Sequence, residues 1–149
     1  MVDYAAIEQD IGRELSAISD PVQAMTRVVG ILKERVPTYT WVGIYRCAGN
    51  ELLLGPFVGR PSPHTRIPLG RGICGAAATQ KTTILVDDVN SDPRYLACSV
   101  ETQSEIVVPI MRDDEVLGEI DIDSDTPAAF GSDDRRMLEA VAAILSRKL

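Results

Sequence analysis

Histidine is almost missing from this chain. His64 is the only one among 149 residues, which weakens any multi-histidine metal centre or histidine-based triad. Cysteine is scarce as well. Cys47, Cys74 and Cys98 are too few for a disulfide scaffold, and in a reducing compartment an odd count points to core packing, metal ligation or redox chemistry. No apolar run is long enough to span a bilayer. The opening MVDYAAIEQD lacks the basic, apolar start of a signal peptide, so a cytoplasmic location is expected. Basic residues are outnumbered 15 to 22, and the net charge of −7 argues against nucleic acid and anionic membrane as primary partners. No Lys-Ser/Thr pair follows Gly70, Gly72 and Gly75, and the GxGxxG spacing is absent, so this stretch is neither a Walker loop nor a dinucleotide fingerprint. Repeats and low-complexity segments are absent too.

What is present suits one domain of ordinary apolar content, with 45% hydrophobic residues. A chain of this length buries roughly 70% of its unfolded surface, so it needs no disulfide or metal to fold. Tyr4, Ile7, Ile11, Leu15 and Ile18 recur at helical spacing. Asp20-Pro21 reads as an N-cap followed by proline at the first helical position. The helix it opens carries Met25, Val28, Val29, Leu32 and Val36 toward its apolar side, and Pro37 stops it. Core packing explains both helices, and any exposed remainder of the stripes offers a surface for a homodimer. Residues 39–46 and 51–58 read as strands joined by a turn at Ala48-Gly49-Asn50. Trp41, the only tryptophan, belongs to the core or walls an apolar pocket. Prolines 61, 63 and 68 make a loop with a short extended piece at 65–69, and AAATQK follows as a short helix. A helix start near Cys74 could lower its pKa; a small buried cysteine is the alternative. Residues 82–86 form another strand, followed by a polar loop and by Cys98 in YLACSVETQ. Ser132 is read as the cap of a last helix with Met137, Leu138, Val141 and Leu145 on its apolar stripe. This order predicts an α+β fold, an antiparallel sheet with helices segregated to one face.

Residues 104–124, SEIVVPIMRDDEVLGEIDIDS, are the most informative stretch. Two β-type runs flank a charged turn, as in a hairpin. In the second run Ile120 and Ile122 share one face, and Glu119, Asp121 and Asp123 share the other. Carboxylates about 7 Å apart repel by roughly 2 kcal/mol at an effective dielectric near 20. A solvated face would screen that repulsion. A site that wants a cation, a metal or a shared proton would exploit it. A two-residue turn on Asp113-Asp114 pairs Glu105 with Ile122 on the apolar face. Glu105 joins the acidic face only through an odd-numbered loop or a bulge, for which Pro109 marks a place.

Taken together, TWVGIYR (40–46), ELLLGPFVGRP (51–61), RIPLGRGICGAAA (66–78), YLACSVETQSEIVVPI (95–110) and LGEIDIDS (117–124) resemble the GAF-type free methionine-(R)-sulfoxide reductases. The resemblance runs from about residue 38 to the C-terminus. GRG-x-CG, a cysteine seven residues before the glutamate of S-E-I-V-x-P, and the D-I-D-S strand appear in family order and spacing. It implies a GAF-like central antiparallel sheet with amphipathic helices packed on it, in a single domain over 1–149. The helical start would cover 1–36, the core sheet and pocket 38–125, and the C-terminal helix 132–148. The implied substrate is free methionine (R)-sulfoxide, and no bound cofactor is implied. Cys98 matches the catalytic cysteine, whose thiolate attacks the substrate sulfur and is left as sulfenic acid. Glu105, Asp121 and Asp123 match the pocket carboxylates, and Trp41 the aromatic wall. A second cysteine then forms a disulfide, which thioredoxin or another thiol reduces. The chain departs from the family at one position. Members with three motif cysteines carry one ten residues before the GRG-x-CG cysteine, and here that position is His64. Three outcomes are then open: Cys74 resolves Cys98, an external thiol reduces the sulfenic acid, or the protein has kept the pocket and lost efficient turnover. His64 would either partner a nearby cysteine or sit exposed on its loop. The competing readings are a GAF sensor domain for a small amino-acid-like molecule and, more weakly, a hard cation held by the acidic face.

Overall fold

The computed structural model describes residues 1–97 and 99–149. Two helices come first, α1 (Tyr4–Ser16) and α2 (Pro21–Arg35). Each starts where an aspartate side chain accepts a backbone N–H of the first turn, Asp3 from Ala6 and Asp20 from Gln23. Strands β1 (Trp41–Ala48), β2 (Glu51–Val58) and β3 (Arg66–Pro68) follow, then helix α3 (Gly72–Gln80) and strand β4 (Ile84–Val86). The hairpin β5 (Ser104–Arg112) and β6 (Glu115–Ser124) precedes the last helix, α4 (Ser132–Ser146). The strands form one six-stranded sheet in the order β3-β2-β1-β6-β5-β4, and every neighbouring pair is antiparallel.

The strand period of two divides the apolar residues between two cores. On one face Val42, Ile44, Ile106, Val108, Ile110, Ile120 and Ile122 pack against the stripes of α1, α2 and α4. On the other, Trp41, Tyr45, Leu52 and Val107 pack against Ile73, Cys74, Ala77 and Ala78 of α3. The expectation that all helices lie on one face is therefore corrected. α3 is too short and too uniformly apolar to show an amphipathic stripe, so its side could not be read from periodicity.

Two local readings also change. The cap of α4 is Gly131, one residue before Ser132. Asp134 sets this start: its Oδ2 accepts the Gly131 N–H at 2.9 Å, and its Oδ1 accepts the Tyr39 hydroxyl at 2.7 Å. The β5–β6 turn has the expected two residues, since Arg112 pairs with Glu115, and Asp113 takes the left-handed conformation there. The bulge lies on β6 rather than at Pro109. Ile110 pairs with Gly118 and Met111 with Val116, which leaves Leu117 as the extra residue. That single insertion moves Glu105 opposite Asp123 and onto the acidic face.

Candidate functional site

The register of three strands builds the site. Asp123 lies between Trp41 on β1 and Glu105 on β5. Asp121 lies between Gly43 and Val107, and Glu119 between Tyr45 and Pro109. All the carboxylates face α3, and the solvated-face reading fails. Glu105 is 6% exposed, Glu119 0%, Asp121 3% and Asp123 4%. Among the described residues, no lysine or arginine forms an ion pair with Glu119, Asp121 or Asp123. One oxygen each of Asp121 and Asp123, and both of Glu119, are sealed from solvent without a hydrogen-bond partner.

Burial without a counter-charge favours the neutral acid. It pushes Glu119 and Asp123 well above the usual carboxylate range, with Asp121 adding to both. Asp121 is raised by burial too, against the lowering effect of hydrogen bonds with Glu105 and Cys74. The cluster can therefore hold protons where an isolated carboxyl would have lost them. It can also hold a cationic group that enters the pocket.

Cys74 lies in the first turn of α3, and its helix starts earlier than AAATQK suggests. Its thiol is pushed well up, by burial first and then by Asp121, Glu105 and Glu119. This corrects the expectation that the helix start lowers it, because desolvation and three carboxyls outweigh half a helix charge. Sγ of Cys74 and one oxygen each of Glu105 and Asp121 lie within 4.8 Å of one another. Gly75 allows this approach. A Cβ there would sit 2.9 Å from Gly70 N and from Pro68 O, so the helix start is pressed onto the loop before it.

Trp41 walls the other end. Its indole lies across Gly43, where a Cβ would come within 2.3 Å of the ring, and it stacks on Phe57 with centroids 5.7 Å apart. Its Nε1 donates to the Arg60 carbonyl at 2.9 Å, and the Tyr45 hydroxyl donates to the His64 carbonyl at 2.7 Å. The 59–65 loop is thus drawn over the acidic face. His64 is half-buried there rather than exposed, with Nε2 donating to Ala97 O at 3.1 Å. Two small cavities remain beneath. One of about 20 Å³ is lined by Tyr45, His64, Cys74, Leu96, Glu105 and Asp121 among others, and one of about 10 Å³ by residues that include Trp41, Arg60, Ser99 and Asp123. Each is about the size of one water on this measure. Larger depressions, of about 610 Å³ beside Tyr4 and Arg136 and about 750 Å³ beside Lys81 and Arg112, contain none of the buried carboxylates. Chemistry, not size, marks the site.

The structure therefore brings Trp41, Cys74, Glu105, Asp121 and Asp123 to one face. Cys98 lies outside the described residues. Cys47 is half-buried at the far end of β1, and its thiol is raised by burial and by Glu119 and Glu115. Sequence reasoning passed over Gly43 and Tyr45, although the two-residue period from Trp41 already aligned them with it.

The GAF domain family matches residues 20–149. A free methionine-R-sulfoxide reductase of Escherichia coli is 30% identical over 146 residues, 98% of this chain and 88% of that protein. GAF domain-containing protein A of Dictyostelium discoideum is 37% identical over 132 residues, 88% of this chain and 82% of its own. The crystal structure of free methionine-R-sulfoxide reductase from Neisseria meningitidis in complex with its substrate superposes with a TM-score of 0.93 at 36% identity, over 97% of this chain and 87% of that one. No helix among the described residues is long and apolar enough to cross a membrane. By fold and by sequence, this chain belongs to the GAF domain family and, within it, to the free methionine-R-sulfoxide reductases.

Proposed function

We propose that this protein reduces free methionine (R)-sulfoxide to methionine, with Cys98 as the nucleophile. The observation that carries the reading is the buried carboxylate face, which lacks a basic ion-pair partner for Glu119, Asp121 or Asp123 among the described residues. A free amino acid brings the missing cation as its ammonium, and ionised carboxylates bind that group by charge-assisted hydrogen bonds. A sulfoxide oxygen needs a proton before it can be displaced, and a crowded, desolvated carboxyl cluster keeps a neutral acid near neutral pH. Trp41 supplies an apolar wall for the S-methyl group. The family membership and the substrate complex of the Neisseria relative support the same reading. The closed cavities are far smaller than an amino acid, so the loops that cover them have to open for the substrate.

The balance is simple. A carboxyl of the cluster protonates the sulfoxide oxygen, the Cys98 thiolate bonds to the sulfoxide sulfur, and that S–S bond and the S–O bond then break as the hydroxyl passes to the Cys98 sulfur. Sulfide and sulfenic acid result, with two electrons passing from cysteine to the substrate sulfur. A second thiol then condenses with the sulfenic acid to give a disulfide and water. Cys74 is buried and strongly protonated, which makes it a slow thiolate donor. An external thiol, thioredoxin or a small one, therefore completes the cycle.

The test is single-turnover reduction of free L-methionine-(R)-sulfoxide by pre-reduced protein, with thiols lost counted per methionine formed. Methionine with a trappable sulfenic acid, and none from Cys98→Ser, is the expected result. Two thiols lost per methionine would instead make Cys74 the resolving partner. Ligand binding without methionine would favour a GAF sensor. Undiminished turnover in both Glu105→Gln and Asp123→Asn would sink the role given to the carboxylates.

A further inference from the structure

Turnover by an external thiol leaves Cys74 without a task, although it is buried against the acidic cluster. An all-oxygen face would suit a hard cation. α3 changes that donor set, because it adds a sulfur to two carboxylates at a mutual distance of at most 4.8 Å, all three buried. A second observation points to a ligand there. Asp121 lines the small cavity beside Cys74, and its Oδ1 is sealed from solvent with no hydrogen-bond partner. His64 lines the same cavity. Sulfur with carboxylate and imidazole is the donor chemistry of zinc-class ions. In a tetrahedral site, Zn–S and Zn–O bonds of about 2.3 and about 2.1 Å set S and O roughly 3.6 Å apart, so donors within 4.8 Å of one another close on the ion by side-chain shifts of about 1 Å.

We propose that this pocket binds a borderline-soft divalent cation of the zinc class through Cys74 Sγ, Glu105 and Asp121. Water or the His64 ring takes the fourth position. The cation displaces the thiol proton and any proton held by the two carboxyls. Because it takes two carboxylates assigned to the substrate, the ion and free methionine sulfoxide exclude one another. That exclusion rests on the reductase reading, whereas the metal site does not.

The test titrates reduced, chelator-treated full-length protein with Cd²⁺ alone and follows the thiolate-to-cadmium charge-transfer band in the ultraviolet. One equivalent per chain is expected. The band persists in Cys98→Ser and Cys47→Ser and is lost in Cys74→Ser, while Asp121→Asn weakens binding about tenfold or more. Free methionine sulfoxide raises the apparent Kd for Cd²⁺, and Zn²⁺ slows single turnover until EDTA is added. A band that survives Cys74→Ser, that vanishes in Cys98→Ser, or that keeps its affinity in Asp121→Asn overturns the site. If Cys74→Ser does not fold, Asp121→Asn decides. Cadmium binding without any turnover upholds the metal site and removes the reductase; turnover without cadmium binding does the reverse.

Discussion

Glu119 carries the most exposed physical claim in this fold, because nothing near it explains a charge. It is fully buried, neither oxygen has a partner, and its cross-strand neighbours are Tyr45 and Pro109. Its folded-state pKa is raised well above the ordinary value, chiefly by burial. The unfolded chain loses this proton near about pH 4.3, while the folded chain keeps it to higher pH. The folded state therefore binds more protons across that window, and stability falls as pH rises through it, by at most about 1.4 kcal/mol per pH unit. Glu119→Leu removes both the titration and the unsatisfied oxygens at similar side-chain length. A buried unsatisfied polar group costs about 1–3 kcal/mol, and more when charged. At pH 8 the variant should thus be more stable by at least about 1–3 kcal/mol, raising Tm by about 2–4 °C per kcal/mol. Toward pH 4 the advantage should shrink to the cost of a neutral buried carboxyl. Urea unfolding of both proteins at several pH values, in EDTA to keep the pocket metal-free, measures the difference. A pH-independent difference would mean that the Glu119 pKa is unshifted, and a loss of stability at pH 8 that Glu119 is ionised and held by a charge of opposite sign; either result would refute the effect of burial.

Two further substitutions separate the faces of the sheet. Gly43→Ala places a methyl within 2.3 Å of the Trp41 ring, so the indole must shift; overpacking costs about 1–3 kcal/mol. KM for the sulfoxide should rise more than kcat falls, with an altered emission spectrum from the single tryptophan. An unchanged KM and spectrum would mean that Trp41 does not shape the pocket. Tyr39→Phe removes the 2.7 Å hydrogen bond to buried Asp134 on the opposite core. It should cost about 1.5–3 kcal/mol in chemical denaturation while turnover at a temperature of full folding stays the same; a matching loss of turnover would show that the two cores are not separable.

Much of this architecture was legible because it is written in local pattern. Asp20-Pro21 opens α2 as expected, and the alternation of β6 places Glu119, Asp121 and Asp123 on one face. The same alternation cannot say whether that face meets water or another layer, since a period of two serves both cases. The cover comes from α3, whose glycine-rich, alanine-rich turn has no polar side to reveal where it packs. Leu117 is likewise silent: a bulge changes which residues oppose one another without changing what they are. That one residue decides whether Glu105 belongs to the core or to the site. For Cys74 the sequence left two readings open, and the structure selects the small buried cysteine: a helix start is visible in sequence whereas the three carboxyls packed against it are not.

The loop over the pocket is held by what every residue has in common. Trp41 and Tyr45 grip the main-chain oxygens of Arg60 and His64 and make no demand on the side chains there. A peptide carbonyl survives any substitution, so positions 60 and 64 can change identity while the backbone keeps its place. A substitution at position 64 therefore leaves the Tyr45 anchor in place and gives up only the ring's bond to the Ala97 carbonyl, so the cover of the pocket is set by the strand beneath it rather than by the loop's own side chains.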